Sequence, residues 1–434
     1  MTPLDARTVA ADRTSRAALE REGLDYRLVD PGDPAQLAAA FRAIARGFLE
    51  EDPGEESVQA GCAVLAERRL VGVYDPSGSQ AEWPVATVGS WSTPLTVPGG
   101  ELPMWAISEV TVAGTHRRRG IARAMIEGEL RAAADAGLAI AGLTVSEATI
   151  YGRYGFGPAT WDTSWTIDTR RAGWAGREPR GRLQYVDREP LAEALGEMHE
   201  RTRAFRAGEV PGWPLLWRQT AGAAPGERHA SEVRGVRYVD AEGMLRGAMA
   251  YRIVESDADW ARSRLEIRHL VGETAEAVSA LWGFALQHDL IGTVTANARP
   301  VDEALPWLVS DRRAAVSKVR DREWLRILDV PRAFEARRCA APLSIVLRVE
   351  DRLGFADGTW RVESSDDGSC RVTPATADEA QIDVGVSELA SMYLGGTTAV
   401  SLAAAGRVRG GAESLARLDA ALRTERAPHL SIGY

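Results

Sequence analysis

The run Val110-Thr111-Val112-Ala113-Gly114-Thr115-His116-Arg117-Arg118-Arg119-Gly120-Ile121 decides the fold. Upstream, Trp105–Val112 reads as a strand. Downstream, Ile121, Ala122, Met125, Ile126, Leu130 and Ala133 recur at spacings of three and four, the pattern of an amphipathic helix, with Gly137 as its stop. Three arginines and a glycine therefore stand where a strand gives way to the first turn of a helix. The unpaired N–H groups of a helix start, and the positive end of its dipole, attract phosphate oxygens. Gly120 and Ala122 let the backbone approach an anion closely, and Arg118 and Arg119 can add charge-assisted contacts. Two other nucleotide fingerprints fall away. No Gly-x-x-x-x-Gly-Lys run exists, and Gly152-Arg153-Tyr154-Gly155-Phe156-Gly157 has the wrong spacing for a Rossmann turn and follows a helix.

Working outward, a helical run near Pro34–Phe48 and strands near Val64–Tyr74 and Val85–Thr93 precede the decisive segment. A strand at Ala139–Val145 follows, then Ser146 as the N-cap of a short helix that contains Tyr151 and ends by Gly155. This is an α/β grammar. A fainter copy comes later: strands Met244–Val254 and Leu265–Val271, helix Ala275–His288, strand Ile291–Ala296. Its turn, Val271-Gly272-Glu273-Thr274-Ala275-Glu276, carries two acids where the first carries three arginines, so it is expected to repel a pyrophosphate. The last hundred residues differ again, with a strand at Leu343–Val349, a hairpin over Trp360–Val372 turning at Asp366-Asp367-Gly368, and a helix over Glu413–Arg423.

At 434 residues more than one domain is expected, and 45% hydrophobic with 26% charged residues is the composition of a folded globular protein. A net charge of −9 argues against a nucleic-acid binder and favours cationic small partners. Cys62, Cys339 and Cys370 lack metal-ligand spacing, and an odd count this low builds no disulfide framework, so a reducing, cytoplasmic setting and no metal are expected. Neither a secretory signal nor a membrane span is visible. Met1 to about Asp25 reads as a loose extension, and Trp83, Trp91 and Trp105 read as core.

The basic turn, together with Ser146-Glu147-Ala148-Thr149-Ile150-Tyr151-Gly152-Arg153-Tyr154-Gly155-Phe156-Gly157-Pro158-Ala159-Thr160, resembles the enhanced intracellular survival (Eis) acetyltransferases of the GNAT superfamily. The resemblance implies an α/β (α+β) chain of tandem GNAT domains, the first active and the second degenerate, then a sterol-carrier-like domain. The boundaries implied are 1–25 for the extension, 26–165, 166–328 and 329–434. It implies N-acetylation of an aminoglycoside-, polyamine- or lysine-like amine by acetyl-CoA, in a homo-hexamer. Val110, Thr111 and Val112 would pair with the pantetheine arm, and Arg117, Arg118, Arg119, Gly120, Ile121, Ala122 and Arg123 would form the pyrophosphate turn, with Ser146 and Glu147 as further cofactor contacts. Tyr151 would be the general acid and the terminal carboxylate of Tyr434 the general base, while Phe48 and Glu50 would face the substrate. Two other classes stay open: a silent acetyl-CoA sensor and a carrier of hydrophobic ligands.

Elementary acid–base chemistry bears on both assignments. A phenol with reference pKa near ~10 can hand a proton to a departing thiolate whose conjugate acid lies near ~8.5 if the two are in contact. A free α-carboxylate at about 3.5 is a poor base at neutral pH unless burial raises it or a water relays the proton.

Overall fold

The computed structural model describes residues 4–227, 229–256 and 262–434. The chain divides into two compact units, one made of the residues up to Thr160 with Arg322–Glu425 and Tyr434, the other of Trp161–Asp321 with Arg426–Gly433.

The first unit begins with helix α1 (Arg13–Glu20), strand β1 (Asp25–Leu28), helices α2 (Pro34–Gly47) and α3 (Glu55–Leu65), then strands β2 (Arg69–Tyr74), β3 (Ala86–Val97) and β4 (Gly100–Val112). Helix α4 (Ile121–Asp135), strand β5 (Ile140–Thr144), helix α5 (Ala148–Tyr151) and the short strand β6 (Gly157–Pro158) follow. The strand predicted from Val64 starts at Arg69, because residues 55–65 are helical.

The segment expected to be loose is built into this unit. Asp12 caps α1 by accepting from the Ser15 N–H, and Leu19 and Leu24 are buried. Arg69 donates to the carbonyls of Val9 and Ala10 at 3.0 and 3.1 Å, and Ser15 donates to the Ala124 carbonyl at 2.6 Å. The same Arg69 pairs with Glu129 of α4 at 2.5 Å, and Glu129 also accepts from the Trp105 indole at 3.1 Å. A buried cation is tolerable here because every arm of the guanidinium is used.

Helix α4 buries the predicted stripe of Ile121, Met125, Ile126, Leu130 and Ala133. It stops where the sequence says. Gly137 takes φ +76°, and the N–H groups of Gly137 and Leu138 close back on the Ala134 and Ala133 carbonyls in a Schellman arrangement.

The second unit holds strands β7 (Trp161–Asp168), β8 (Arg182–Val186), β9 (Arg234–Val239), β10 (Leu245–Val254), β11 (Ser263–Gly272), β12 (Ile291–Pro300) and β13 (Ala315–Asp321), in the order β13-β7-β12-β11-β10-β9-β8. Its acidic turn leads into the helix Ala275–Leu286, whose start is capped by Thr274 accepting from Ala277. Glu273 is held by Arg201 and Arg246, and Glu276 accepts from the Tyr238 hydroxyl and the Arg180 N–H. The chain's own side chains thus occupy the place where the first unit presents a basic turn.

Strand β14 (Glu323–Ile327) lies inside the first sheet, whose order is β1-β2-β3-β4-β5-β14-β6. The expected boundary at 328 groups with the second domain a strand that hydrogen-bonds between β5 and β6 of the first. Strands β15 (Ser344–Glu350), β16 (Gly358–Ser364), β17 (Cys370–Pro374), β18 (Ile382–Gly385) and β19 (Val408–Gly410) form a third sheet in the order β17-β16-β15-β18-β19. One ion pair ties this sheet's surroundings to the first: Arg326 of β14 reaches both Asp351 oxygens at 2.7 and 2.6 Å and the Tyr154 carbonyl at 2.6 Å, all buried. Among the described residues no helix is long and apolar enough to cross a membrane.

Candidate active site

Strands β4 and β5 run parallel, but they pair only where Met104–Ala106 faces Ile140–Gly142. Past Ala106 the two part, leaving Ile107–Val112 of β4 without a strand partner on the β5 side. The parting has a local cause. Thr87 of β3 faces Thr111 while Gly89 faces Ser108, so β4 carries an extra residue, and Glu109 takes φ +50° in that bulge. An open stretch of strand offers N–H and C=O groups to an extended amide-bearing chain. Val110 and Val112 are half-buried against the core there. Thr111 points away, its hydroxyl 2.8 Å from that of Thr87 and its methyl against Gly47 at the end of α2.

Gly120 is the N-cap of α4 in the left-handed region at φ +77°, and no side chain caps the helix. Its first N–H groups are therefore available to an anion. A Cβ at Gly120 would meet nothing within 4 Å, so the turn is open rather than packed. Arg118 also has positive φ, at +64°, while Arg119 donates to the Glu22 carbonyl at 2.8 Å. Ile121 is core, and only its N–H can serve a ligand. Arg123 lines a pocket of about 270 Å³ with Arg153, Tyr154 and Arg352. Arg117 lines a second cleft, of about 580 Å³, together with Arg46, Asp75, Trp83, Thr111 and His116. Trp83 is thus a cleft residue, whereas Trp105 is the core residue expected.

Tyr151 ends α5, buried with its ring edge-on to Phe156 at 6.0 Å between centroids. Burial, and then the charge of Glu147, push its phenol up to about 12. Ser146 does not cap α5; Glu147 occupies that position without a side-chain bond, and both residues are exposed.

Tyr434 lies against β5 and β14, beside the point where β5 parts from β4. Its hydroxyl donates to Glu323 at 2.8 Å, its main-chain oxygen accepts from the Thr144 hydroxyl, and its ring meets Trp91 edge-on at 5.5 Å. Gly142 makes the room: a Cβ there would lie 3.0 Å from the Tyr434 oxygen and 2.4 Å from Met104 Sδ. Burial, and then the facing Glu323, push the Tyr434 phenol well up.

Glu109 is not among the residues the sequence reading singled out. Its carboxylate accepts from Arg68 at 2.5 Å, and that guanidinium stacks on Trp91 at 3.9 Å. Its second oxygen is buried without a hydrogen bond, in space that exists because residue 89 is glycine. Burial pushes this carboxyl up, against the pull of Arg68. A charged residue in an apolar strand opposite a strand glycine was the available signal. Glu50, by contrast, is exposed beyond the end of α2, and Phe48 is 47% exposed; neither lines the 580 Å³ cleft. Among the described residues no group of three or more metal-ligating side chains occurs.

Residues 29–159 and 212–327 each match a family model described as an acetyltransferase (GNAT) domain, and residues 330–431 match a sterol carrier protein domain. An uncharacterized N-acetyltransferase of Streptomyces avermitilis is 38% identical over 92% of this chain and 97% of that protein. The N-acetyltransferase Eis of Mycobacterium tuberculosis is 35% identical over 86% of this chain and 91% of its own length. Among solved structures, Eis1 from Mycobacterium abscessus superposes with a TM-score of 0.77 at 27% identity, covering 95% of this chain and all of that one. GNAT enzymes take acetyl-CoA as co-substrate, and the open strand edge followed by an uncapped basic helix start suits a pantetheine arm followed by a pyrophosphate. The chain belongs to the Eis-like N-acetyltransferases of the GNAT superfamily: an acetyltransferase of two GNAT domains and a sterol-carrier-like C-terminal domain.

Proposed function

We propose that this enzyme moves the acetyl group of acetyl-CoA to a primary amine of an aminoglycoside-, polyamine- or lysine-like acceptor by direct attack on the thioester. The observation that carries the reading is the seating of Tyr434 against Thr144, just past the point where β5 parts from β4, near where the thioester end of an arm paired with β4 would lie. In this reading Val110 and Val112 pair with the pantetheine amides, and the turn from Arg117 to Arg123 holds the pyrophosphate. Tyr151 donates a hydrogen bond to the thiolate as it leaves. The ammonium of the acceptor gives its proton to the carboxylate of Tyr434, directly or through a water, and the neutral amine attacks. Ser146 and Glu147 flank the arm, Phe48 and Glu50 approach the acceptor from the end of α2, and the active species is a hexamer.

A second candidate for the base has an observation of its own. Glu109 is a desolvated carboxylate pushed above its ordinary range, which makes it a stronger base near neutral pH than a solvated one. Appending Gly-Ser-Gly after Tyr434 moves the terminal charge by about 3.3 Å or more per residue and should abolish thiol release from acetyl-CoA, while Glu109→Gln should cost far less. The opposite pattern in folded protein transfers the role to Glu109. The reading as a whole fails if acetyl-CoA binds and no amine in a panel of aminoglycosides, polyamines and lysine peptides speeds thiol release.

A further inference from the structure

Two of the three cysteines, apart in sequence by thirty-one residues, meet in the C-terminal domain: Cys339 Sγ and Cys370 Sγ are 3.0 Å apart, both buried and both reduced. The backbone holds them there. Arg338 and Ser369 form an antiparallel bridge, and the Cys339 N–H donates to the Gly368 carbonyl at 2.7 Å, so the thiols project from diagonally related positions on one side of a short ladder.

Beside them lies a buried cation. Arg337 is 1% exposed, and its hydrogen bonds go to the main-chain carbonyls of Arg338, Tyr393 and Leu422. The anions that face it are those that Cys339, Cys370 and Tyr393 would become. A buried guanidinium without a carboxylate favours a thiolate at its side. The hydrogen bond from Cys370, and then the charge of Arg337, pull the Cys339 thiol down against the opposing effect of burial. Cys62 has the reverse setting, pushed up by burial. A two-sulfur site with no third ligand is not a metal centre, and among the described residues no third ligand is present.

We propose that Cys339 and Cys370 are an oxidation site, a dithiol that a small hydroperoxide converts to a disulfide. The Cys339 thiolate attacks the terminal oxygen of the hydroperoxide, the O–O bond breaks, and an alcohol leaves, water when the oxidant is hydrogen peroxide. Cys339 is then a sulfenic acid. The Cys370 sulfur attacks Cys339, the S–O bond breaks, and water leaves with the Cys370 proton; one hydroperoxide and two thiols give one disulfide, one alcohol and one water. Each cysteine is only 8% exposed, a degree of enclosure that favours an oxidant as small as hydrogen peroxide over a bulky disulfide.

The full-length protein, reduced and then freed of reductant, is treated with hydrogen peroxide, denatured in alkylating reagent and digested. The expected result is a Cys339–Cys370 linked peptide lighter by two hydrogens, with Cys62 alkylated as before and oxidised at least about tenfold more slowly. Cys370→Ser should stop Cys339 at the sulfenic acid, trapped by a cyclic dione, and Cys339→Ser should leave Cys370 alkylatable at the same dose. Glutathione disulfide should act much more slowly than peroxide. Three alkylatable thiols after peroxide, a Cys339 sulfinic acid beside an untouched Cys370 in the unmodified protein, or disulfides formed through Cys62 would each overturn the proposal.

Discussion

Replacing Tyr151 by Phe removes one hydroxyl from a buried ring and keeps the edge-on contact with Phe156. A phenol of ordinary pKa has only a small gap to climb when it protonates a leaving thiolate. At about 12, however, Tyr151 lies ~3.5 above a thiol near ~8.5, so full transfer of its proton to a free thiolate costs roughly 5 kcal/mol. The hydroxyl therefore acts mainly as a hydrogen-bond donor to developing charge, and such a bond contributes about 1.5–3 kcal/mol. Tyr151→Phe should lower kcat by roughly ten- to a hundredfold, the low end of what general acids supply, and leave the Kd of acetyl-CoA unchanged. The pH profile adds a second check. Because burial and Glu147 keep the phenol protonated up to about pH 12, no alkaline loss of rate from Tyr151 should appear at pH 9–10. A mutant with less than a threefold loss, or a wild-type limb near pH 10 that Tyr151→Phe removes, would refute this account.

Asp351→Ala should destabilise the first unit by about 3–5 kcal/mol, since it strands a buried guanidinium, and Arg326→Met with Asp351→Leu should regain most of that loss in urea unfolding. Burial pushes the Asp351 carboxyl up, but Arg326 and the N–H groups of Ala356 and Leu353 hold it below its ordinary value. Its contribution is thus complete above about pH 4 and is lost as pH falls through the folded value. Gly120→Ala puts a methyl in the open space before the helix start and should weaken acetyl-CoA binding about tenfold by calorimetry, while its strain at φ +77° costs about 1–2 kcal/mol of stability and lowers the melting temperature by a few degrees at most. Light scattering of the purified protein should give the mass of a hexamer; a stable monomer that retains full turnover would remove the assembly from the functional reading.

What was legible in the sequence is what local spacing controls. The stripe of α4, its left-handed glycines at 120 and 137 and the basic turn before it lie within some thirty residues, and both glycines adopt the conformations their positions demanded. The parting of β4 and β5 was less visible, because a bulge at Glu109 depends on register against β3 and not on the composition of β4. Longer-range features left no mark on any window of sequence. Thr144 bonds to a residue 290 positions later, and Glu323 reads as an ordinary strand position until β14 is found between β5 and β6. Glu50 is exposed, whereas Glu323 is buried and one oxygen of Glu109 is shut away from solvent. A charge in water changes little with its neighbours, while one enclosed by protein shifts its proton affinity and fixes the groups around it. In the reading proposed for this enzyme the phosphate site is written in contiguous residues, but the groups proposed to lie nearest the thioester are brought together only by the ladder that inserts β14 and leaves Gly142 open to the Tyr434 hydroxyl.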